Sequence, residues 1–144
     1  MFIGLGLCVK NSAEAVEFYK EVFKLELGYH VKNPDGTYFH SMLYKEGKAV
    51  IAVSEEASNE NIEKCTVSLG VTFESEAEVQ RAYDLLREGG KIKTPIGALP
   101  WSPCAADVID KFGVLWYITM PQHAPHADWD VSEPWEPSMY KKPE

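Results

Sequence analysis

The feature that most constrains this chain is a strand-like string that occurs twice. IGLGLCV at 3–9 and VSLGVTF at 67–73 align at an offset of 64, which sets Gly70 on Gly6 and Leu69 on Leu5. Ile3, Leu5, Leu7 and Val9 alternate with small or polar residues, as do Val67, Leu69, Val71 and Phe73. A period of two marks a strand with one packed face and one different face. The same offset matches Ala15 with Val79, Phe18 with Ala82, Tyr19 with Tyr83 and Val22 with Leu86. Those residues recur at helical spacing in both copies. The chain is therefore two similar modules. The small, polar strand faces predict that something other than a packed core lies against them.

The remaining elements repeat in the same order. In the first module the strand is followed by a helix with Asn11 or Ser12 as cap and Glu14 and Glu17 in its opening turns. LELGYHVKN reads as a strand closed by Asn33-Pro34-Asp35-Gly36, and TYFHSMLYKEG as an alternating strand that turns at Glu46-Gly47 into KAVIAVS. On the alternating strand, Phe39, Ser41 and Leu43 are expected toward the helix, with Tyr38, His40, Met42 and Tyr44 on the other face. The second module has Ser75 as helix cap, Gly89-Gly90 as stop, and three more strands in KIKTPIG, SPCAADVID and VLWYITM. Each half is thus β-α-β-β-β. The fold class is α+β: a curved, mostly antiparallel eight-strand sheet, with helices on one face and a cup on the other. The domain spans 1–120, with modules of about 1–54 and 64–120. A Pro- and Trp-rich tail at 121–144 lies outside both.

Composition excludes several function classes. A net charge of −8 argues against a nucleic-acid surface, which needs a basic stripe. No apolar run approaches the roughly 20 residues that span a bilayer, and no signal peptide is visible at the start. Cys8, Cys65 and Cys104 are too few and too scattered for a disulfide framework or a zinc motif. Free thiols point to the cytoplasm.

Several strings resemble the vicinal-oxygen-chelate superfamily, which includes glyoxalase I, bleomycin-resistance proteins and extradiol dioxygenases. They are AVEFYKEVFKLELGY at 15–29, LREGGKIKTPIG at 86–97 and DKFGVLWYI at 110–118. The last is similar to the PhnB-like branch, as are FHSMLY at 39–44 and Trp101. The resemblance covers roughly residues 1–120. It implies a paired βαβββ fold, a homodimer, and a cup that holds a divalent metal in catalytic members. The metal-bearing positions fall here on Gly4, on Ile51 or Ala52, on Ser68 or Thr66, and on Tyr117. None is a Cys, His or carboxylate ligand, so no metal and no cofactor is expected. A divalent metal is the alternative.

The expected cup residues are Gly4, Tyr38, His40, Met42, Ser68, Trp101, Cys104 and Tyr117. His40 matches a histidine common in PhnB-like sequences and is a candidate general base or ligand donor. The competing reading is a histidine bonded to a backbone carbonyl. Tyr117 is the second catalytic candidate, and Trp116 is expected toward the helices. Tyr38, Tyr117 and Trp101 suit a flat or apolar ligand, or they simply fill the cup. Cys104 and Cys8 are placed with Ala106 and Gly6 on the cup side; a nucleophilic thiol there would need a nearby base. The expectation is a PhnB-like protein that binds a small molecule without the usual metal. The alternatives are a lyase, isomerase or dioxygenase with an altered site, and a non-catalytic dimeric interaction protein. No nucleic-acid or membrane partner is expected.

Overall fold

A computed structural model describes residue 1 and residues 4–56 and 67–123. The linker from 57, Thr66, Cys65, Ile3 and the tail beyond His123 lie outside the described residues. The chain divides into two compact units, Met1–Glu63 and Lys64–Glu144.

The first unit runs β1 (Gly6–Val9), α1 (Ser12–Phe23), β2 (Glu26–Lys32), β3 (Tyr38–Lys45) and β4 (Lys48–Glu55). The second runs β5 (Ser68–Thr72), α2 (Glu76–Leu86), β6 (Lys91–Leu99), β7 (Ser102–Ile109) and β8 (Leu115–Thr119). Each unit is therefore βαβββ, and the fold is α+β. The strands form two four-stranded sheets, ordered β1-β4-β3-β2 and β5-β8-β7-β6. The pairing closes within each module because its last strand returns parallel to its first. The other pairs are antiparallel.

The helices cover the apolar sheet faces as their spacing requires. In α1, Ala15, Val16, Tyr19 and Val22 are buried; in α2, Val79, Ala82, Tyr83 and Leu86 are. Against α1 lie Leu43, Ile51 and Val53; against α2 lie Ala106, Val108, Trp116 and Ile118, all buried. Trp116 is turned to the helix side, where its Nε1 donates to Asp110 Oδ2 at 2.8 Å.

The two helix starts are built differently. Ser75 and Glu78 form a reciprocal capping box on α2. At α1, Asn11 is the cap, in the left-handed region with φ 59° and no side-chain cap bond. The orphan donors go instead to the end of β4: Glu55 Oε1 accepts from Asn11 N at 2.9 Å and Oε2 from Ser12 N at 2.6 Å. Ser12 Oγ accepts from Tyr38 N at 2.8 Å, which ties β3 to the same corner.

Sequence alternation fails at one place in β3. His30 pairs with Ser41 and Val31 with His40, but Lys32 pairs with Tyr38, so Phe39 is an extra residue. Such a bulge reverses the parity of everything before it. Phe39 is consequently 69% exposed and Tyr38 only 5%.

Candidate functional site

In the second unit the face away from α2 carries one polar row. Gly70 on β5 pairs with Tyr117 on β8, Tyr117 with Asp107 on β7, and Asp107 with Thr94 on β6. Tyr117, Asp107 and Thr94 are half-buried and Gly70 is exposed. A Cβ added at Gly70 would meet nothing within 4 Å. The backbone beside Tyr117 therefore leaves room for another group, the usual meaning of a strand glycine.

Two donors fix the Tyr117 hydroxyl. Trp101 Nε1 donates to it at 3.0 Å and Gln122 Nε2 at 2.9 Å. His123 N donates to the Trp101 carbonyl at 2.8 Å, which holds the segment after β8 beside the β6–β7 turn. A phenol has one donor and two acceptor positions. With both acceptor positions used, Tyr117 has its O–H left to donate.

In the first unit the face away from α1 carries Gly6 and Cys8 of β1, Ala52 and Ser54 of β4, and His40 and Met42 of β3. Gly6 pairs with Ala52, Cys8 with Ser54, and Met42 with Ala52. On that register His40 falls opposite Ser54. The Tyr29 ring lies 6.1 Å from the His40 ring in a tilted arrangement. Tyr44 covers Gly28 so closely that a Cβ there would sit 2.2 Å from its ring. Gly6, like Gly70, has open space where a side chain would project.

Of the expected cup residues, Tyr117 and Trp101 are joined by a hydrogen bond, and His40 and Met42 share a face. Ser68 is exposed at the start of β5, and Gly4 is exposed just before β1. Tyr38 belongs to the α1 side: the bulge at Phe39 turns it there, with the His30 ring edge-on at 5.6 Å and Lys32 Nζ 5.4 Å from its ring centre. Cys104 also belongs to the helix side, at 2% exposure, with Ala106 and Val108. Burial pushes its thiol up and the Glu76 carboxylate adds to this, which suits an inert cysteine. Cys8 is exposed on the open face as expected.

Two residues escaped sequence reasoning. Asp107 reaches the open face because Ala106 and Val108, not Asp107, pack on the helix; the small apolar alternation of CAADV carries that signal. Gln122 lies past the last strand, where no periodicity marks it.

The superfamily's metal does not fit these residues. Gly4, Gly6, Ala52, Ser68 and Tyr117 offer no carboxylate, imidazole or thiolate, and among the described residues no group of three or more His, Cys, Asp or Glu comes together. Catalytic divalent sites usually hold three such ligands.

Comparison with known proteins follows the same lines. A family model described as Glyoxalase/Bleomycin resistance protein/Dioxygenase superfamily matches residues 3–118. The PhnB protein of Bacillus cereus is 26% identical with a TM-score of 0.73, covering 83% of this chain and 99% of its own. Protein PA1353 of Pseudomonas aeruginosa is 24% identical with a TM-score of 0.72, covering 85% and 99%. The fosfomycin resistance protein FosX of Listeria monocytogenes, solved with Mn(II) and sulfate, is 16% identical with a TM-score of 0.62, covering 84% and 90%. No curated protein matches the chain.

Proposed function

The chain belongs to the Glyoxalase/Bleomycin resistance protein/Dioxygenase superfamily, and from that premise we propose that it binds a small aromatic molecule bearing an acceptor oxygen. The contact surface is the face of the second sheet around Tyr117, without a divalent metal of the superfamily type. The observation that carries this reading is the Tyr117 hydroxyl, which accepts from Trp101 and Gln122 and so keeps its proton for a ligand. The open space over Gly70 gives that ligand a place, and the half-buried rings of Trp101 and Tyr117 give it a flat apolar contact. The Bacillus cereus PhnB protein carries a 3-demethylubiquinone-9 3-methyltransferase description. A quinone carbonyl is an acceptor of the required kind, so hydroxylated benzoquinones and their phenols are the first probes. The same reading carries a homodimer in the cytoplasm; a monomer mass in light scattering at micromolar concentration would remove the dimer.

Calorimetric titration with those probes tests the proposal. Saturable binding is expected, weakened about 2- to 13-fold in Tyr117→Phe, the worth of one neutral hydrogen bond of roughly 0.5–1.5 kcal/mol. Equal binding by Tyr117→Phe, or no saturable binding to any quinone or phenol tried, overturns it.

A further inference from the structure

The open face around Tyr117 carries a second polar group that the reading above does not use. Asp107 on β7 is the direct cross-strand neighbour of Tyr117 on β8, and Thr94 on β6 is the direct neighbour of Asp107. Directly opposed residues of an antiparallel pair carry Cβ atoms about 4.5–5.5 Å apart on one face. Asp107 is half-buried, yet among the described residues its carboxylate makes no hydrogen bond and no ion pair. Lys93, the extra residue between Ile92 and Thr94 on the neighbouring strand, is exposed and is not paired with it. The Tyr117 hydroxyl does not serve it either, because Trp101 and Gln122 hold that hydroxyl beside the β6–β7 turn. Taking a carboxylate partly out of water without giving it a donor is costly. The fold does not require one here: at the matching place in the first unit, the row from Gly6 runs through Ala52 to Met42.

We infer that Asp107 accepts a hydrogen bond from a hydroxyl on the bound ligand and is the residue that selects it. The inference rests on the Tyr117 reading and adds a second requirement to it. A ligand lying over Gly70 and the Tyr117 ring meets a fixed O–H donor at one end and an unpartnered carboxylate at the other. A ring that carries both an acceptor oxygen and a free hydroxyl satisfies both groups. The ligand class is therefore a hydroxyaryl carbonyl compound or a hydroquinone, in preference to the corresponding methyl ether. The ether has no proton to give, sets a methyl group against the carboxylate, and leaves Asp107 desolvated without a partner.

The test is calorimetric titration of the full chain with 3- and 4-hydroxyacetophenone and with their methyl ethers, below the pH at which the phenols ionise. Each pair shares the ketone oxygen that Tyr117 would engage and differs in the hydroxyl proton. In the wild type the hydroxy compound of the better-fitting pair should bind about 10- to 150-fold more tightly than its ether, the worth of one hydrogen bond to a charged group. Asp107→Ala should erase that ratio, chiefly by weakening the hydroxy compound. Asp107→Asn keeps the size and an acceptor oxygen, and should leave about the 2- to 13-fold of a neutral bond. Tyr117→Phe should weaken both members of the pair alike and keep the ratio. A variant that partly unfolds lowers both affinities together, so the ratio reports on Asp107 and not on folding. Saturable but equal binding of hydroxy compound and ether, or a wild-type ratio retained in Asp107→Ala, would overturn the role of Asp107 and leave the Tyr117 reading standing. No saturable binding by any of the four compounds would overturn both.

Discussion

Replacing Glu55 with Ala should destabilise the first unit by about 2 kcal/mol at neutral pH. Glu55 accepts from Asn11 N and Ser12 N, two donors that α1 cannot satisfy itself. Asn11 is exposed, and water can replace the carboxylate there. Ser12 is fully buried, so its amide would be left without an acceptor, a cost of roughly 1–3 kcal/mol. Loss of a helix cap costs a similar 0.5–2 kcal/mol, roughly, in other helices, and the two figures describe one event. For a chain of this size about 2 kcal/mol lowers the melting temperature by roughly 4–8 °C. The pH dependence has a definite sign. Burial pushes the Glu55 carboxyl up, but the bonds from Ser12 and Asn11 outweigh it and hold it below the ordinary 4.5. The unfolded chain therefore takes up this proton first. The contribution is complete above pH 4.5 and disappears as pH falls through the lower folded value. Glu55→Gln removes the charge, so its deficit against the wild type should shrink on acidification. All four tryptophans lie at or beyond residue 101, so far-UV circular dichroism is the probe for this unit, not fluorescence. Stability of Glu55→Ala within about 0.5 kcal/mol of wild type, the range of a neutral surface change, would refute the reasoning. So would a Glu55→Gln deficit that does not change with pH.

Asp110→Ala should cost about 3 kcal/mol, since Asp110 is buried and accepts from Phe112 N, Val114 N and Trp116 Nε1; urea unfolding followed by tryptophan fluorescence measures it. Gly90→Ala should destabilise by about 1–3 kcal/mol, because its Cβ would sit 2.2 Å from the Ile109 carbonyl oxygen. Gly70→Ala meets no neighbour and should leave the melting temperature nearly unchanged while weakening quinone binding. In the native protein a disulfide reagent should modify exposed Cys8 quickly and Cys104 only after unfolding; thiol counting with peptide mapping distinguishes them.

The duplication carried most of the fold because each module solves the same packing problem. Tyr19 and Tyr83 are both buried on their helices, as their shared offset implies. The cap at Ser75 was legible because it stands directly before the helix it caps; the structure adds its reciprocal partner Glu78, three residues on. The cap at α1 was not, because Glu55 lies more than forty residues from Ser12 and no local spacing announces it. The same distinction explains the site. Tyr117 could be placed from strand parity, since β8 is regular through its five residues. Tyr38 could not: the extra residue at Phe39 is a product of how β2 and β3 meet, and both strands read as regular in sequence. Cys104 was misplaced for a simpler reason. Small residues were read as marking the open face, but Cys104 and Ala106 are small on the face that α2 packs against.

The two open faces have diverged where the helix faces have not. Each helix face must match its own helix, so apolar positions recur at the fixed offset. The open faces face no such demand within their units, and their residues differ in kind. Gly6 and Gly70 are equivalent, but the two strands next to Gly6 offer Ala52 and then Met42, whereas the two next to Gly70 offer Tyr117 and then Asp107. One face is soft and weakly polar; the other has a fixed hydroxyl donor beside a carboxylate. Had the open faces served only to fill space, the glycines would gain nothing by staying glycine, since a Cβ at either meets no neighbour and alanine would weaken neither strand. Glycine at the same place in both copies leaves the backbone open to close approach, and the side chains beside that opening differ between the halves.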